Sequence, residues 1–83
     1  MKICIVGQGY IGLPTAALFA KNGCEVLGVD VNEEIVDKLN QGIAHIEEPG
    51  ITEAIKNAVE KGHYHASLKP EEADTFIITN KSL

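Results

Sequence analysis

A glycine motif set between two apolar runs constrains this chain more than any other feature of its sequence. The stretch KICIVGQGYIGLPTAALFAKNGCEVLGVD (residues 2–30) begins with an apolar run, passes through Gly-x-Gly-x-x-Gly and ends on an aspartate. Short β-branched and apolar runs are typical of strands that are covered on both faces. Between the two runs, residues 10–21 repeat apolar side chains at helical spacing. The stretch therefore predicts a strand, a glycine turn, a helix and a second, parallel strand.

Each motif glycine (Gly7, Gly9 and Gly12) has a separate role in a turn that binds a dinucleotide. The first permits a sharp exit from the strand, the second lets a pyrophosphate approach the backbone, and the third lets the helix lie close to the strand. Free N–H groups and the helix dipole stabilise an anion at the helix N-terminus. Asp30 ends the next strand beside this turn, where its carboxylate would accept hydrogen bonds from adenosine ribose hydroxyls.

The carboxylate of Asp30 also predicts which dinucleotide binds. Because it would repel a 2′-phosphate, NAD is favoured over NADP. FAD-dependent enzymes share the glycine pattern, often with glutamate at the ribose position, and an S-adenosylmethionine site fits the third glycine less well. A glycine turn without a ligand is a further alternative. The strand before the motif, the helix after it and the acid at the end of the next strand favour dinucleotide binding instead.

The remainder of the chain continues the alternation of helix and strand. Asn32 is a suitable N-cap for a helix that closes near Gly42. The later elements are predicted as a loop over residues 43–50, a helix over 51–61, a weak strand over 63–68 and a strand over 75–79. We therefore predict an α/β fold in one domain, residues 1–83. It is a partial Rossmann-type doubly wound parallel sheet, a three-layer fold that lacks its second half.

Charge and hydropathy exclude two classes of partner. The net charge of −5, with no cluster of Lys and Arg, argues against a nucleic-acid or anionic membrane surface. No apolar run approaches the ~20 residues that a membrane span needs. Met1 and Lys2 lead directly into the first strand without a signal-peptide pattern, so we expect a cytoplasmic protein. Cys4 and Cys24 are then reduced thiols with structural roles.

Three segments resemble the N-terminal NAD-binding domain of the UDP-glucose/GDP-mannose dehydrogenase family: MKICIVGQGYIGLPTAALFAKNG, GVDVN and HIEEPGI. The similarity covers residues 1 to about 79, and the HIEEPG segment is most similar to the UDP-N-acetyl-D-mannosamine dehydrogenase branch. The resemblance implies an enzyme of polysaccharide biosynthesis that oxidises the C6 alcohol of a nucleotide sugar twice, to a uronic acid, with two NAD.

The resemblance also implies which residues contact the cofactor. Backbone N–H groups of Tyr10 and Ile11 would face the pyrophosphate, and Asn32 would lie near the adenosine while it caps its helix. The implied cofactor-binding set is Gly7, Gly9, Tyr10, Ile11, Gly12, Asp30 and Asn32. No catalytic residue and no metal ligand is assigned within this chain.

The end of the sequence departs from the family's pattern. Relatives continue with a VPTP-like turn toward the nicotinamide half, whereas this chain has Thr79 followed by NKSL. The resemblance then implies a truncated domain without its own catalysis, which would meet a UDP-sugar only if the missing domains were supplied. The alternative is a non-catalytic module that binds NAD, or a partner through an apolar sheet face that the helices leave exposed.

Two groups of polar residues outside the motif have weaker functional interpretations. His63 and His65 lie two apart on a strand, and a metal site would need further ligands, so a solvated strand edge is favoured. His45, Glu47 and Glu48 would suit an acid/base pair. A polar loop that precedes the next helix is the favoured interpretation.

Overall fold

The computed structural model describes residues 1–46 and 48–79. Its elements are β1 (Lys2–Val6), α1 (Gly12–Lys21), β2 (Glu25–Val29), α2 (Glu33–Asn40), α3 (Ile51–Glu60), β3 (Tyr64–Ser67) and β4 (Thr75–Ile78). The order and type of these elements agree with the prediction, and the boundaries differ by two residues at most. Glu47 and the last four residues, NKSL, lie outside the described part, so the predictions that involve them stay predictions.

The four described strands form one parallel sheet in the order β3-β2-β1-β4. The chain steps outward from β1 to β2 and β3, then crosses back to place β4 on the other side of β1. This reversal creates a topological switch point at the carboxyl ends of β1 and β4. Ligands of open α/β sheets bind in the crevice at such a point. The predicted α/β class with a parallel, Rossmann-type sheet is confirmed.

The main hydrophobic core lies between one face of the sheet and all three helices. Its fully buried side chains include Ile3 and Ile5 of β1, Leu13 of α1, Leu39 of α2 and Ile55 of α3. Complete burial of a large aliphatic side chain stabilises a fold by about 1.5–3 kcal/mol. The apolar side chains of the helices thus hold them against this face of the sheet.

A smaller cluster of Cys4, Leu27 and Val29 is buried on the opposite face of the sheet. The crossover from β3 to β4 (residues 68–74) contains no helix, and its Ala73 packs against this cluster. The side chain of Cys4 is fully buried there, which confirms its interpretation as a small core residue. An irregular segment therefore covers the centre of the face that the helices leave free.

The exposed apolar surface of the sheet is narrower than the sequence predicts. Phe76 and Ile78 of β4 are 53% and 73% exposed, and they are the large apolar strand residues left open within the described part of the chain. The reason is geometric, since the crossover passes over β1 and β2 and leaves the face of the edge strand β4 uncovered.

Candidate functional site

The glycine loop between β1 and α1 has the backbone geometry that its sequence predicts. Gly7 leaves β1 with φ of 94°, in the left-handed region that favours glycine, and its N–H donates to the Val29 carbonyl at 2.7 Å. A Cβ added at Gly12 would overlap the carbonyl oxygen of Gly7. The first glycine therefore makes the turn, and the third lets α1 approach β1 closely.

The middle of this loop presents unpaired backbone donors. Gly9 is buried, while Tyr10 and Ile11 expose 60% and 63% of their surface. Within residues 1–46 and 48–79, the N–H groups of these three residues donate no hydrogen bond. The predicted helix begins two residues later than expected, at Gly12, because Tyr10 and Ile11 belong to the turn. Their N–H groups remain available to a ligand.

The N-termini of α1 and α2 differ in a way that points to an anion site. At α2, Asn32 Oδ1 accepts hydrogen bonds from the N–H groups of Glu34 at 3.0 Å and Ile35 at 3.2 Å, which confirms the predicted cap. At α1, the cap residue Ile11 provides no side-chain hydrogen bond, and the first turn contains no acidic residue. α3 also lacks a side-chain cap, but it has Glu53 in its first turn. The positive end of α1 therefore has neither a capping side chain nor an acidic neighbour in its first turn, and a helix end of this kind can bind phosphate groups.

Asp30 stabilises this loop by accepting backbone hydrogen bonds, in addition to its predicted role at the ribose. The residue is only 2% exposed. Its Oδ2 accepts the Gln8 N–H at 3.0 Å and its Oδ1 accepts the Asn32 N–H at 3.0 Å. Because a carboxylate oxygen has more than one lone pair, both oxygens retain capacity for a further donor. The ribose contact itself stays a prediction.

Thr79 joins the site from the end of β4, and the sequence analysis did not assign it a role. Its hydroxyl has a single hydrogen to donate, and the carbonyl oxygens of Val6 at 3.0 Å and Gly7 at 3.2 Å both lie within hydrogen-bond distance of Oγ1. Its backbone N–H also donates to the Val6 carbonyl. Because β1 and β4 lie at opposite ends of the chain and meet only in the folded sheet, no local sequence pattern indicates this contact.

His45 is half-buried, and its two ring nitrogens are shielded from solvent. Neither ring nitrogen has a hydrogen-bond partner within the described part of the chain. Burial lowers the pKa of His45, and the positive charge of Lys38 lowers it slightly further. The Asp30 carboxylate and the Gln8 backbone act in the opposite direction and raise this pKa, but by less than burial lowers it. The surroundings of the ring therefore favour its neutral form.

The stability of the domain should fall as the pH drops below about 6.5, where the histidine of an unfolded chain protonates. Because burial lowers the pKa of His45 in the folded state, the unfolded state binds this proton first. In urea titrations between pH 7 and pH 5, His45→Gln should lose less stability than the unsubstituted chain. His65 is exposed on β3, so His65→Gln serves as the control and should follow the unsubstituted curve. Parallel curves for all three proteins would contradict the prediction.

The other polar candidates do not assemble into a site. His63 is half-buried and His65 is exposed, and no group of three or more potential metal ligands occurs within the described residues. Glu48 is exposed, and neither ring nitrogen of His45 has a hydrogen-bond partner within the described residues. The part of this prediction that involves Glu47 lies outside them. No helix in the described part is both long and apolar enough to cross a membrane.

A surface cavity lies away from the glycine loop. Its volume is about 360 Å³, and it runs along α3 beside the end of α1. The polar groups that line it include Lys21, Glu53, Asn57 and Lys61. None of the predicted cofactor residues contributes to it.

Comparison with known proteins agrees with this geometry. The sequence model of the UDP-glucose/GDP-mannose dehydrogenase family, NAD binding domain, matches residues 1–81. The chain is 52% identical over 77 residues to UDP-N-acetyl-D-mannosamine dehydrogenase of Campylobacter jejuni, which covers 93% of this chain and 19% of that protein.

Solved structures give the same result for the fold. The UDP-N-acetyl-mannosamine dehydrogenase Cap5O from Staphylococcus aureus matches with a TM-score of 0.91 and 48% identity, over 95% of this chain and 19% of that one. A ternary complex of GDP-mannose dehydrogenase from Pseudomonas aeruginosa matches with a TM-score of 0.91 and 31% identity, over the same shares of the two chains. The chain thus spans about a fifth of the length of these relatives. It belongs to the UDP-glucose/GDP-mannose dehydrogenase family, and it corresponds to the NAD-binding domain of that family.

Proposed function

We propose that this chain binds NAD at its glycine loop. We propose further that it is the NAD-binding part of an enzyme that oxidises the C6 alcohol of a UDP-sugar to a uronic acid. The observation that carries the proposal is the open N-terminus of α1. There the N–H groups of Tyr10 and Ile11 are unpaired within the described residues, and they lie at the topological switch point of the sheet. A pyrophosphate is the part of NAD that such donors stabilise.

Each predicted residue has a definite part in this proposal. Gly7 turns the chain, Gly12 keeps α1 against β1, and Gly9 leaves the backbone accessible to the pyrophosphate. Asp30 would accept hydrogen bonds from the ribose through its remaining lone pairs. The side-chain oxygen of Asn32 is already occupied by the cap, so its Nδ2 amide group is the part that would reach the adenosine.

The substrate and the reaction are inferred from the relatives. When bound, NAD would accept the hydride released from the sugar alcohol. UDP-N-acetyl-D-mannosamine is the proposed sugar nucleotide, because relatives at 50–52% identity are named UDP-N-acetyl-D-mannosamine dehydrogenase. This chain spans 19% of the Campylobacter protein's length, and we propose that oxidation requires parts of the enzyme beyond the described residues. A cytoplasmic location is also proposed, where the free cysteines Cys4 and Cys24 would stay reduced.

Calorimetric titration with NAD and NADP tests the proposal. NAD should bind, and NADP should bind at least about tenfold more weakly, because its 2′-phosphate would meet the Asp30 carboxylate. The chain alone should form no NADH when it is mixed with NAD and UDP-N-acetyl-D-mannosamine. Absence of heat on a folded sample, or equal affinity for the two dinucleotides, would contradict the assignment.

A second candidate function is a module that binds a partner protein without chemistry. The exposure of Phe76 and Ile78 on β4 favours it. A folded chain that binds neither dinucleotide, yet self-associates in a concentration-dependent way, would support this alternative. NAD binding by a monomeric chain would count against it.

A further inference from the structure

Gln8, the residue between the first two motif glycines, is fully buried, although its side chain is polar. Its Nε2 donates to the carbonyls of Ile5 at 3.0 Å and Gly7 at 2.9 Å. Its Oε1 accepts the hydroxyl of Tyr64 at 2.8 Å. Both amide hydrogens and the amide oxygen are thus paired, so this buried polar group is satisfied and favours one conformation of the loop.

Tyr64 reaches this glutamine from a distant part of the sheet. It lies on β3, which is separated from β1 by β2, and it is 56 residues away from Gln8 in the chain. The contact passes over Gly28 of β2. A Cβ at that position would overlap both the Tyr64 hydroxyl and the Gln8 amide oxygen. Glycine at position 28 therefore leaves the space in which the two side chains meet.

The backbone of Gln8 extends the same network to the predicted ribose site. Its N–H donates to Asp30 Oδ2 at 3.0 Å, and Asp30 Oδ1 accepts the N–H of Asn32 at the start of α2. A continuous set of hydrogen bonds therefore runs from β3 through the glycine loop to Asp30 and α2. Burial, with the Asp30 charge as a smaller cause, raises the pKa of Tyr64, so its hydroxyl remains protonated and able to donate.

We propose that Gln8 and Tyr64 are a pair of positioning residues for the cofactor loop. The Tyr64 hydroxyl orients the Gln8 amide, and that amide fixes the peptide groups on either side of the turn. The N–H groups proposed to bind the pyrophosphate, those of Tyr10 and Ile11, follow Gln8 two and three residues later in the same loop. The inference rests on the proposed NAD site for its effect on affinity, whereas its effect on the loop is independent of any ligand.

Tyr64→Phe is the variant that tests the pair, because it removes only the hydroxyl and retains the ring in the core. Ile55→Val is the matched control, since it removes one methylene from the same core in α3, away from the loop. A deletion of that kind is expected to cost about 0.5–1.5 kcal/mol, comparable to the loss of a buried hydrogen bond. The two variants should therefore have similar overall stability.

Amide hydrogen exchange, measured by NMR on the full chain, separates a local loosening of the loop from a loss of overall stability. A loss of overall stability lowers the protection of all core amides by the same factor. In Tyr64→Phe, protection of the Gln8 N–H should fall about tenfold more than that of Leu27 in the central strand β2, because the glutamine oxygen is left buried without a donor. In Ile55→Val, both amides should lose protection by the same factor. Equal losses in Tyr64→Phe would overturn the proposal and leave the pair a purely structural contact.

Calorimetry with NAD on the same two variants separates this inference from the cofactor assignment. The Kd for NAD should rise about tenfold in Tyr64→Phe and stay unchanged in Ile55→Val. The double variant Gln8→Met/Tyr64→Phe should bind no more weakly than Gln8→Met alone, because the two side chains act as one unit. An unchanged Kd in Tyr64→Phe would overturn the proposal. If the unsubstituted chain binds no NAD but Gln8 loses protection selectively, the cofactor assignment fails and the positioning of the loop by the pair is still supported.

Discussion

Gly12→Ala should destabilise this domain by about 3 kcal/mol and abolish measurable NAD binding. The added Cβ would overlap the backbone carbonyl oxygen of Gly7, which cannot rotate away as a side chain can. α1 must then move off β1, and its N-terminus no longer meets the turn. For a domain of this length, whose total stability is expected to be roughly 4–12 kcal/mol, that loss is a large fraction. Urea denaturation followed by circular dichroism measures it.

Gly23→Ala is the appropriate control for this experiment. Gly23 has φ of 90°, but no atom outside its immediate neighbours lies within 4 Å of the added Cβ. Alanine there should cost about 1 kcal/mol through backbone strain alone, and NAD binding should survive. If the two variants lose the same stability and both retain NAD binding, close packing at Gly12 is not what forms the site.

Asp30→Asn should weaken NAD binding by about tenfold to a hundredfold and reduce the preference for NAD over NADP. The amide that replaces the carboxylate has only one acceptor oxygen, whereas Asp30 accepts from both Gln8 and Asn32. One buried backbone N–H would be left unpaired, which costs about 1–3 kcal/mol of stability. The loss of negative charge removes the repulsion of a 2′-phosphate. Paired calorimetric titrations with the two dinucleotides measure both effects.

Asp37→Asn makes the same change in net charge at an exposed position of α2. It controls for long-range electrostatics, because any general effect of charge on an anionic ligand would appear in both variants. We expect unchanged affinity and unchanged discrimination in this control. If Asp30→Asn binds NAD as the unsubstituted chain does, the proposed ribose contact is wrong and Asp30 serves only to brace the loop.

The site can be predicted from the sequence where its parts are neighbours in the chain. The strand, the turn at Gly7, the close approach at Gly12 and the cap at Asn32 each depend on a few consecutive residues. Hydrophobic periodicity then indicates the helices and strands that flank them. The start of α1 differed from the prediction because apolar residues at the turn, Tyr10 and Ile11, match helical spacing without being helical.

The sequence offers no signal for contacts between distant elements. Gln8 lies among the motif glycines, yet its partner Tyr64 is on a strand whose neighbour is known only once the sheet order is known. The same holds for Thr79, which reaches the loop because β4 pairs with β1. The predicted uncovered apolar face was too broad, because an irregular crossover can cover a sheet as a helix does and periodicity does not detect it.

Local chemistry in the sequence determined that this chain is a parallel α/β domain with a dinucleotide-type glycine turn and an acid at the end of the next strand. Only the tertiary structure decided how that turn is held, because it brings Tyr64 across Gly28 onto Gln8 and places both oxygens of Asp30 on backbone N–H groups. The physical reason is that backbone conformation and helix capping are decided within a few residues. The pairing of buried polar groups depends instead on which strands become neighbours.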